Sequence, residues 1–302
     1  LVKFIDASDP AFRAAASVGA FKGAVENLGN SEYHALKNYW SSSDLKFMYK
    51  TNPEIFHYHY FGRGKDEPIK QTPEQILGSL VHTMLLMPND YEKEFFYMPD
   101  LNLRTNDGKA EKERLLTENA GKTPVTAELL ATAQNMKSAA ERNPQIVKLL
   151  GHGRKECAFF WTCPFSGLNF KAKLDQASSQ WWSELKTTRD ASPDFFSKAI
   201  HEKNYDLSLY HYHEAIRRVM DVESPANFIC IASDEPHTTQ VYKASASCFE
   251  TGHQKWLDSV MKLETALKTG IWPGYFPQGD DIPEISPPTW AVNKIIPKGL
   301  EC

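Results

Sequence analysis

Long apolar runs are missing from this sequence. None approaches the roughly 18–20 residues that span a bilayer, so no membrane partner is expected. Leu1 to Ala20 lacks a basic segment followed by an apolar one, so no signal peptide is expected either. Cysteine is sparse: Cys157, Cys163, Cys230, Cys248 and Cys302 are odd in number, widely spaced and form no CxxC pair. That argues against a disulfide framework, a CxxC zinc site and a cysteine-held iron–sulfur cluster, and fits reduced thiols in the cytoplasm. No internal repeat or low-complexity tract occurs. Charge of neither sign dominates: 34 Lys+Arg stand against 38 Asp+Glu, a net −4. A polycation that coats nucleic acid is disfavoured, while a local basic groove stays open. The chain opens on Leu rather than Met, so sequence ahead of it is expected.

What remains is the composition of a folded protein, with 302 residues, 41% hydrophobic and 12% aromatic. That length suits one large domain with decorations or two small ones. Residues 1–40 look weakly helical and are expected to form an arm. Ser41-Ser42-Ser43-Asp44 caps a helix that Thr51-Asn52-Pro53 should end. Residues 61–71 read as a polar loop. Thr72-Pro73 opens a helix with an apolar stripe through Ile76, Leu77, Leu80, Val81, Met84 and Leu85. Residues 108–150 hold two or three more helices.

The period then changes. Residues 156–162, 168–176 and 180–188 read as an antiparallel meander. Helices follow at 193–202 and 206–220, then strands at 228–232 and 240–244, and a long helix at 246–269. Beyond Trp272 the chain carries six prolines and reads as an extended tail over the surface or a partner. The fold class is α+β, a small mixed sheet flanked by helices, with a core domain over 41–270 and a tail over 271–302.

The chemistry concentrates in KAKLDQASSQWWSELKTT, residues 171–188. Asp175 ends one expected strand, and Glu184 and Lys186 share a face of the next. A tight turn would bring Asp175 beside Glu184. Two carboxylates at one point repel unless a cation joins them, and oxygen ligands suit Mg²⁺ or Mn²⁺. Such an ion polarises a phosphoryl oxygen and lowers the pKa of bound water. Lys186 could orient that water and offset charge developing on phosphate.

The pattern Asp175…Glu184-Leu185-Lys186 resembles the core motif of PD-(D/E)XK nucleases. Its surroundings resemble the RecE-type exonucleases (exodeoxyribonuclease VIII), relatives of lambda exonuclease. Gly78-Ser79-Leu80-Val81-His82 is similar to that family's Gly-x-x-x-His helix, and Ser41 to Pro53 to its opening motif. Lys186-Thr187-Thr188 with Asp190-Ala191-Ser192 and Phe195-Phe196 resembles the stretch after the lysine. Asn204-Tyr205-Asp206-Leu207 resembles the start of its Gly-Tyr-x-x-Gln-x-x-x-Tyr helix. The resemblance covers residues 40–245. It implies a PD-(D/E)XK, restriction-endonuclease-like core in which Asp175, Glu184 and the Leu185 carbonyl bind metal. Lys186 would position water, and His82 would be a ligand or phosphate contact.

The family glutamine is Ser208 here, while Tyr212 keeps the tyrosine. Asn204 replaces the glycine, a mild change because Asn tolerates left-handed backbone. Tyr212 is expected among the catalytic residues, and Ser208, Thr187, Thr188, Arg189, Lys173 and Tyr205 are candidate DNA contacts, as are Lys171, Lys198 and Lys203. Trp181 and Trp182 could stack on a base, although at least one is expected in the core. His201, His211 and His213 form a weaker candidate metal cluster.

The resemblance further implies an exodeoxyribonuclease on linear double-stranded DNA, 5′ to 3′, Mg²⁺-dependent, in phage-type recombination. A homo-oligomeric ring (trimer or tetramer), a single-strand annealing partner and a bacterial or phage source belong to the same expectation. Rival readings are a single-strand or flap nuclease, a DNA-end-binding scaffold and a helical interaction protein. The charge distribution agrees with a DNA-threading ring. Lys+Arg against Asp+Glu are 18 to 19 over residues 1–150, 10 to 8 over 151–220 and 6 to 11 over 221–302.

Overall fold

The computed structural model describes residues 3–62, 64, 71–276 and 282–289. Most of the expected 61–71 loop, and positions 277–281 and 290–302 of the tail, lie outside the described residues.

The centre is a seven-stranded mixed sheet. In chain order its strands are β1 (Phe4–Asp6), β2 (Gly23–Glu26), β5 (Arg154–Thr162), β6 (Asn169–Ala177), β7 (Trp182–Thr188), β8 (Ala226–Ala232) and β9 (Thr239–Lys243), and they lie side by side in that same order. The β1–β2 and β7–β8 pairs are parallel and the others antiparallel. A separate parallel pair joins β3 (Phe95–Tyr97) to β4 (Thr123–Val125). The expected meander is present as β5, β6 and β7. Its last hairpin is paired only at Gln176↔Ser183 and Ala177↔Trp182, beside the turn.

The helical arm expected over residues 1–40 is replaced by β1 and β2, which extend the sheet, with α1 (Pro10–Ser17) and α2 (Asn30–Ala35) packed beside them. Strands of three and four residues are too short to show a period of two, so the pattern there reads as irregular. Phe12, Val25, Tyr33 and Tyr39 bury a small core against Phe160 of β5.

The remaining helices follow the sequence cues closely. Helix α3 (Ser42–Lys50) starts in a Ser41/Asp44 capping box, and Asn52 caps α4 (Pro53–Tyr60) at once. Thr72 and Gln75 make a second capping box for α5 (Pro73–Leu86). After α6 (Tyr91–Glu94), the 108–150 region holds α7 (Asn106–Glu118), α8 (Ala127–Arg142) and α9 (Pro144–Leu150). Then come α10 (Pro193–Glu202), α11 (Tyr205–Met220) and α12 (Ala246–Thr269).

The sheet has an apolar layer on each face. Strand β8 shows this by alternation: Phe228 and Cys230 join the core that holds residues of α3, α11 and α12, and Ile229 and Ile231 the core of α5, α8 and α9. The tail begins on its own chain, where Trp272 packs against Phe56 and His57, and the Glu54 N–H donates to the Pro273 carbonyl at 3.1 Å. No described helix is long and apolar enough to cross a membrane.

Candidate metal and nuclease site

The site lies where β6 and β7 part. Pairing stops at Gln176↔Ser183, and the next residues outward are Asp175 and Glu184. The Leu185 N–H donates to Asp175 Oδ2 at 2.6 Å, so the carboxylate itself bridges the opening fork. The turn expected from sequence therefore brings Asp175 beside the Glu184-Leu185-Lys186 segment. Lys186 Nζ donates to Glu184 Oε2 at 2.7 Å and stands 5.4 Å from the Tyr205 ring centroid.

His82 enters from α5. Its Nε2 is 2.8 Å from Asp175 Oδ1 and 3.4 Å from Glu156 Oε1. Glycine makes this approach feasible: a Cβ on Gly78, one turn before His82, would lie 3.0 Å from Thr187 Oγ1. Ligand atoms of His82, Glu156 and Asp175 lie within 4.8 Å of one another, the one such cluster among the described residues.

Sequence reasoning missed Glu156. It sits in β5 opposite Asp175, between the pairs Lys155↔Gln176 and Cys157↔Leu174, with φ at +53°. A left-handed non-glycine residue inside a strand is strained by about 1–3 kcal/mol, a cost often met at functional sites. The signal was available in part. Once Thr162 is set opposite Asn169, counting back along the hairpin places Glu156 opposite Asp175.

The electrostatics are those of carboxylates crowded around one point. Burial and the neighbouring Asp175 push the Glu184 carboxyl up to about 7, against the pull of Lys186. Burial likewise raises Glu156. Burial would raise Asp175 too, but His82, Lys186 and the Leu185 N–H hold it below its usual value. Burial disfavours a charged His82 ring, yet Asp175 and then Glu156 lift it to about 9. Burial opposes the Lys186 charge as well, and Glu184 and Asp175 more than restore it.

Two buried carboxylate oxygens, Glu156 Oε1 and Glu184 Oε1, accept no hydrogen bond. Orphaned acceptors beside a His/Glu/Asp cluster fit a divalent cation. To serve as a ligand, His82 must give up its proton.

The other expected site residues divide. Thr187, Tyr205, Leu185, Lys186, His82 and Gly78 line one cavity of about 320 Å³. The Tyr212 hydroxyl accepts from Ser42 at 3.3 Å; burial and the adjacent Glu184 raise its pKa. Ser208 is buried and its Oγ has no hydrogen-bond partner. Asn204 adopts the left-handed backbone (φ 51°) at the start of α11, a conformation that Asn tolerates. Lys173 is at the site, but its ammonium is held by Glu156 at 2.9 Å. Thr188 donates to the Asp190 carbonyl, and exposed Arg189 reaches Asp234 at 3.4 Å.

Two expectations fail, the Lys171 phosphate contact and the histidine metal cluster. Lys171 is buried and ties down the Tyr33 and Leu36 carbonyls, both at 2.8 Å, so it faces no phosphate. Of the tryptophan pair, Trp182 is fully buried in the core, as expected of at least one of them, and Trp181 packs beside His152. His211 is buried between Trp256 and the Lys171 carbonyl, His201 is exposed, and His213 packs on Phe249. These three histidines form no metal cluster.

A forked strand pair carrying Asp175 and Glu184-x-Lys186, with a helix delivering His82, defines the PD-(D/E)XK nuclease fold class. Within it the chain belongs to the family described as "PDDEXK-like domain of unknown function (DUF3799)", whose model matches residues 41–280. A crystal structure of a "Putative exonuclease" from Eubacterium rectale is similar in fold, with a TM-score of 0.60 and 14% identity. The match covers 89% of this chain and 99% of that one. No curated protein matches the chain.

Proposed function

We infer that this chain is a divalent-metal-dependent exodeoxyribonuclease that hydrolyses phosphodiester bonds of linear double-stranded DNA. The observation that carries the reading is the convergence of His82, Glu156 and Asp175 beside Glu184 and Lys186. His82, Asp175, Glu184 and Glu156 would hold Mg²⁺, or Mn²⁺, together with the Leu185 carbonyl. The ion would supply Lewis acidity toward the phosphate and make water nucleophilic at neutral pH.

The chain's own groups do the rest. Lys186, kept cationic by Glu184 and Asp175, orients the attacking water and offsets charge on the phosphate. Ser42 donates to the Tyr212 hydroxyl, and Thr187 and Tyr205 line the cavity that receives the reacting nucleotide. Its volume of about 320 Å³ is at the low end for ligand pockets, which suits a phosphate and its sugar rather than a whole duplex.

The exonucleolytic mode is supported by the resemblance to RecE-type enzymes and by the similarity in fold to the "Putative exonuclease" from Eubacterium rectale. The 5′ to 3′ direction, a trimeric or tetrameric ring, an annealing partner and a role in phage-type recombination rest on that resemblance alone. One observation favours a second reading, a DNA-end-binding scaffold of weak activity: the unpartnered Ser208, at the position where the resemblance to RecE-type enzymes implies glutamine.

The test is digestion of end-labelled linear, single-stranded and circular DNA with Mg²⁺, with Ca²⁺ and with EDTA. Nucleotide release from linear duplex in Mg²⁺ alone is expected. Preference for single strands or flaps would replace the substrate, and binding without release would favour the scaffold.

A further inference from the structure

We propose that Asn30, on the short helix α2 ahead of the residues matched by the family model, is a positioning residue for the metal centre. It acts through Lys173 on Glu156, and the proposal rests on the metal-centre reading above.

The Asn30 amide is clamped between opposite charges. Its Oδ1 accepts from Lys173 Nζ at 2.7 Å, and its Nδ2 donates to Glu94 Oε1 at 2.8 Å. Turning the amide over would set its NH₂ against an ammonium and its carbonyl against a carboxylate, so one orientation is fixed. Lys173 gives another proton to Glu156 Oε2 at 2.9 Å, and both side chains are under one-tenth exposed (8% and 9%). The second Glu94 oxygen accepts from Thr83 Oγ1 at 2.8 Å, and Thr83 follows His82 on α5. His82 in turn stands 3.4 Å from Glu156 Oε1, which closes a ring of contacts around the site.

Within that ring Asn30 is the neutral link that shares the Lys173 charge. With its oxygen removed, Lys173 keeps Glu156 as its remaining side-chain partner and turns its charge onto that carboxylate. A ligand carboxylate neutralised by a lysine is a poorer donor to a cation, so metal binding weakens. Groups that orient ligands commonly contribute about 10–100-fold to metal affinity. The first forty residues therefore take part in building the site.

The experiment is Mn²⁺ titration of the full chain, reading free Mn²⁺ by electron paramagnetic resonance, with metal-free thermal unfolding as the fold control. Asn30→Ala is expected to weaken Mn²⁺ binding about tenfold. Asn30→Ser, which keeps a small acceptor for Lys173, is expected to lose less and serves if the alanine variant unfolds. In Glu156→Gln, adding Asn30→Ala is expected to cost nothing more, because the effect runs through Glu156. Losses that multiply in the double variant, or wild-type affinity in Asn30→Ala, overturn the proposal. Wild-type affinity in Asp175→Asn overturns the metal centre and the proposal with it. Loss in Asp175→Asn with no loss in Asn30→Ala overturns the proposal alone.

Discussion

Gly78 and Thr187 meet across the interface of α5 and β7 so closely that a Cβ on Gly78 would stand 3.0 Å from Thr187 Oγ1. The contact sets how near α5 comes to the sheet, and hence whether His82 reaches Asp175. Gly78→Val is expected to push the helix outward, cost about 1–3 kcal/mol by overpacking and weaken Mn²⁺ binding. Trimming the partner in Gly78→Ala/Thr187→Ala should restore both. Equal Mn²⁺ affinity in wild type and Gly78→Val would show that His82 is not needed at the metal.

Asp175→Asn and Lys186→Ala test different roles. Asp175→Asn removes the charge of a proposed ligand and is expected to lose both Mn²⁺ binding and nuclease activity. Lys186→Ala is expected to keep most Mn²⁺ binding while losing about 10²-fold or more in rate. Nucleotide release that persists in both variants would sink the site assignment.

His211 predicts a pH dependence of stability. Its Nε2 bonds the Lys171 carbonyl at 2.9 Å while its Nδ1 accepts from Trp256 Nε1 at 3.1 Å, which fixes a neutral ring protonated on Nε2. Burial lowers its pKa from 6.5 to about 4. The unfolded chain thus binds a proton that the native state refuses between those values. Stability from this group is full above about pH 6.5 and falls by up to about 3 kcal/mol as pH drops towards 4. Chemical unfolding of wild type and His211→Asn at pH 7.5 and 4.5 checks this. The variant should be less stable at pH 7.5 and should show a smaller loss on acidification.

Lys255 on α12 donates to Asp206 Oδ2 at 2.7 Å and to Asn204 Oδ1 at 2.9 Å, with both charged side chains buried. Lys255→Met leaves the Asp206 charge without its counter-ion and is expected to cost about 3–5 kcal/mol. Asp206→Leu/Lys255→Met should recover much of that. Urea midpoints of the three chains measure it, and a double variant as unstable as Lys255→Met would refute the ion-pair account.

Where local signals act over a few residues, the chain was readable in advance. Ser41 and Thr72 cap α3 and α5 because a hydroxyl followed three residues later by Asp or Gln satisfies free N–H groups at either helix start. The aromatic and alternating runs after residue 154 became β5, β6 and β7, and the Asp175/Glu184/Lys186 group stands on adjoining strands at their fork. The site was legible to that extent because two residues on neighbouring strands are fixed by one turn. Glu156 was not, since its place depends on the register of a second hairpin and on a left-handed backbone that no residue type there announces.

The same division runs through the whole molecule. Capping, helical periodicity, strand alternation and the spacing of Asp175, Glu184 and Lys186 are properties of short segments, and the amino-acid order specifies them. Long-range packing specifies the rest. It buries Trp182 and His211, ties Lys171 to backbone carbonyls, adds two short strands from the first forty residues to the sheet and brings Asn30 within 2.7 Å of Lys173. The physical reason is that a polar side chain takes its partner, and an aromatic one its burial, from residues tens to more than a hundred positions away. The candidate metal cluster joins both kinds of information: the turn placed Asp175 beside Glu184, and the packing of α5 and β5 added His82 and Glu156.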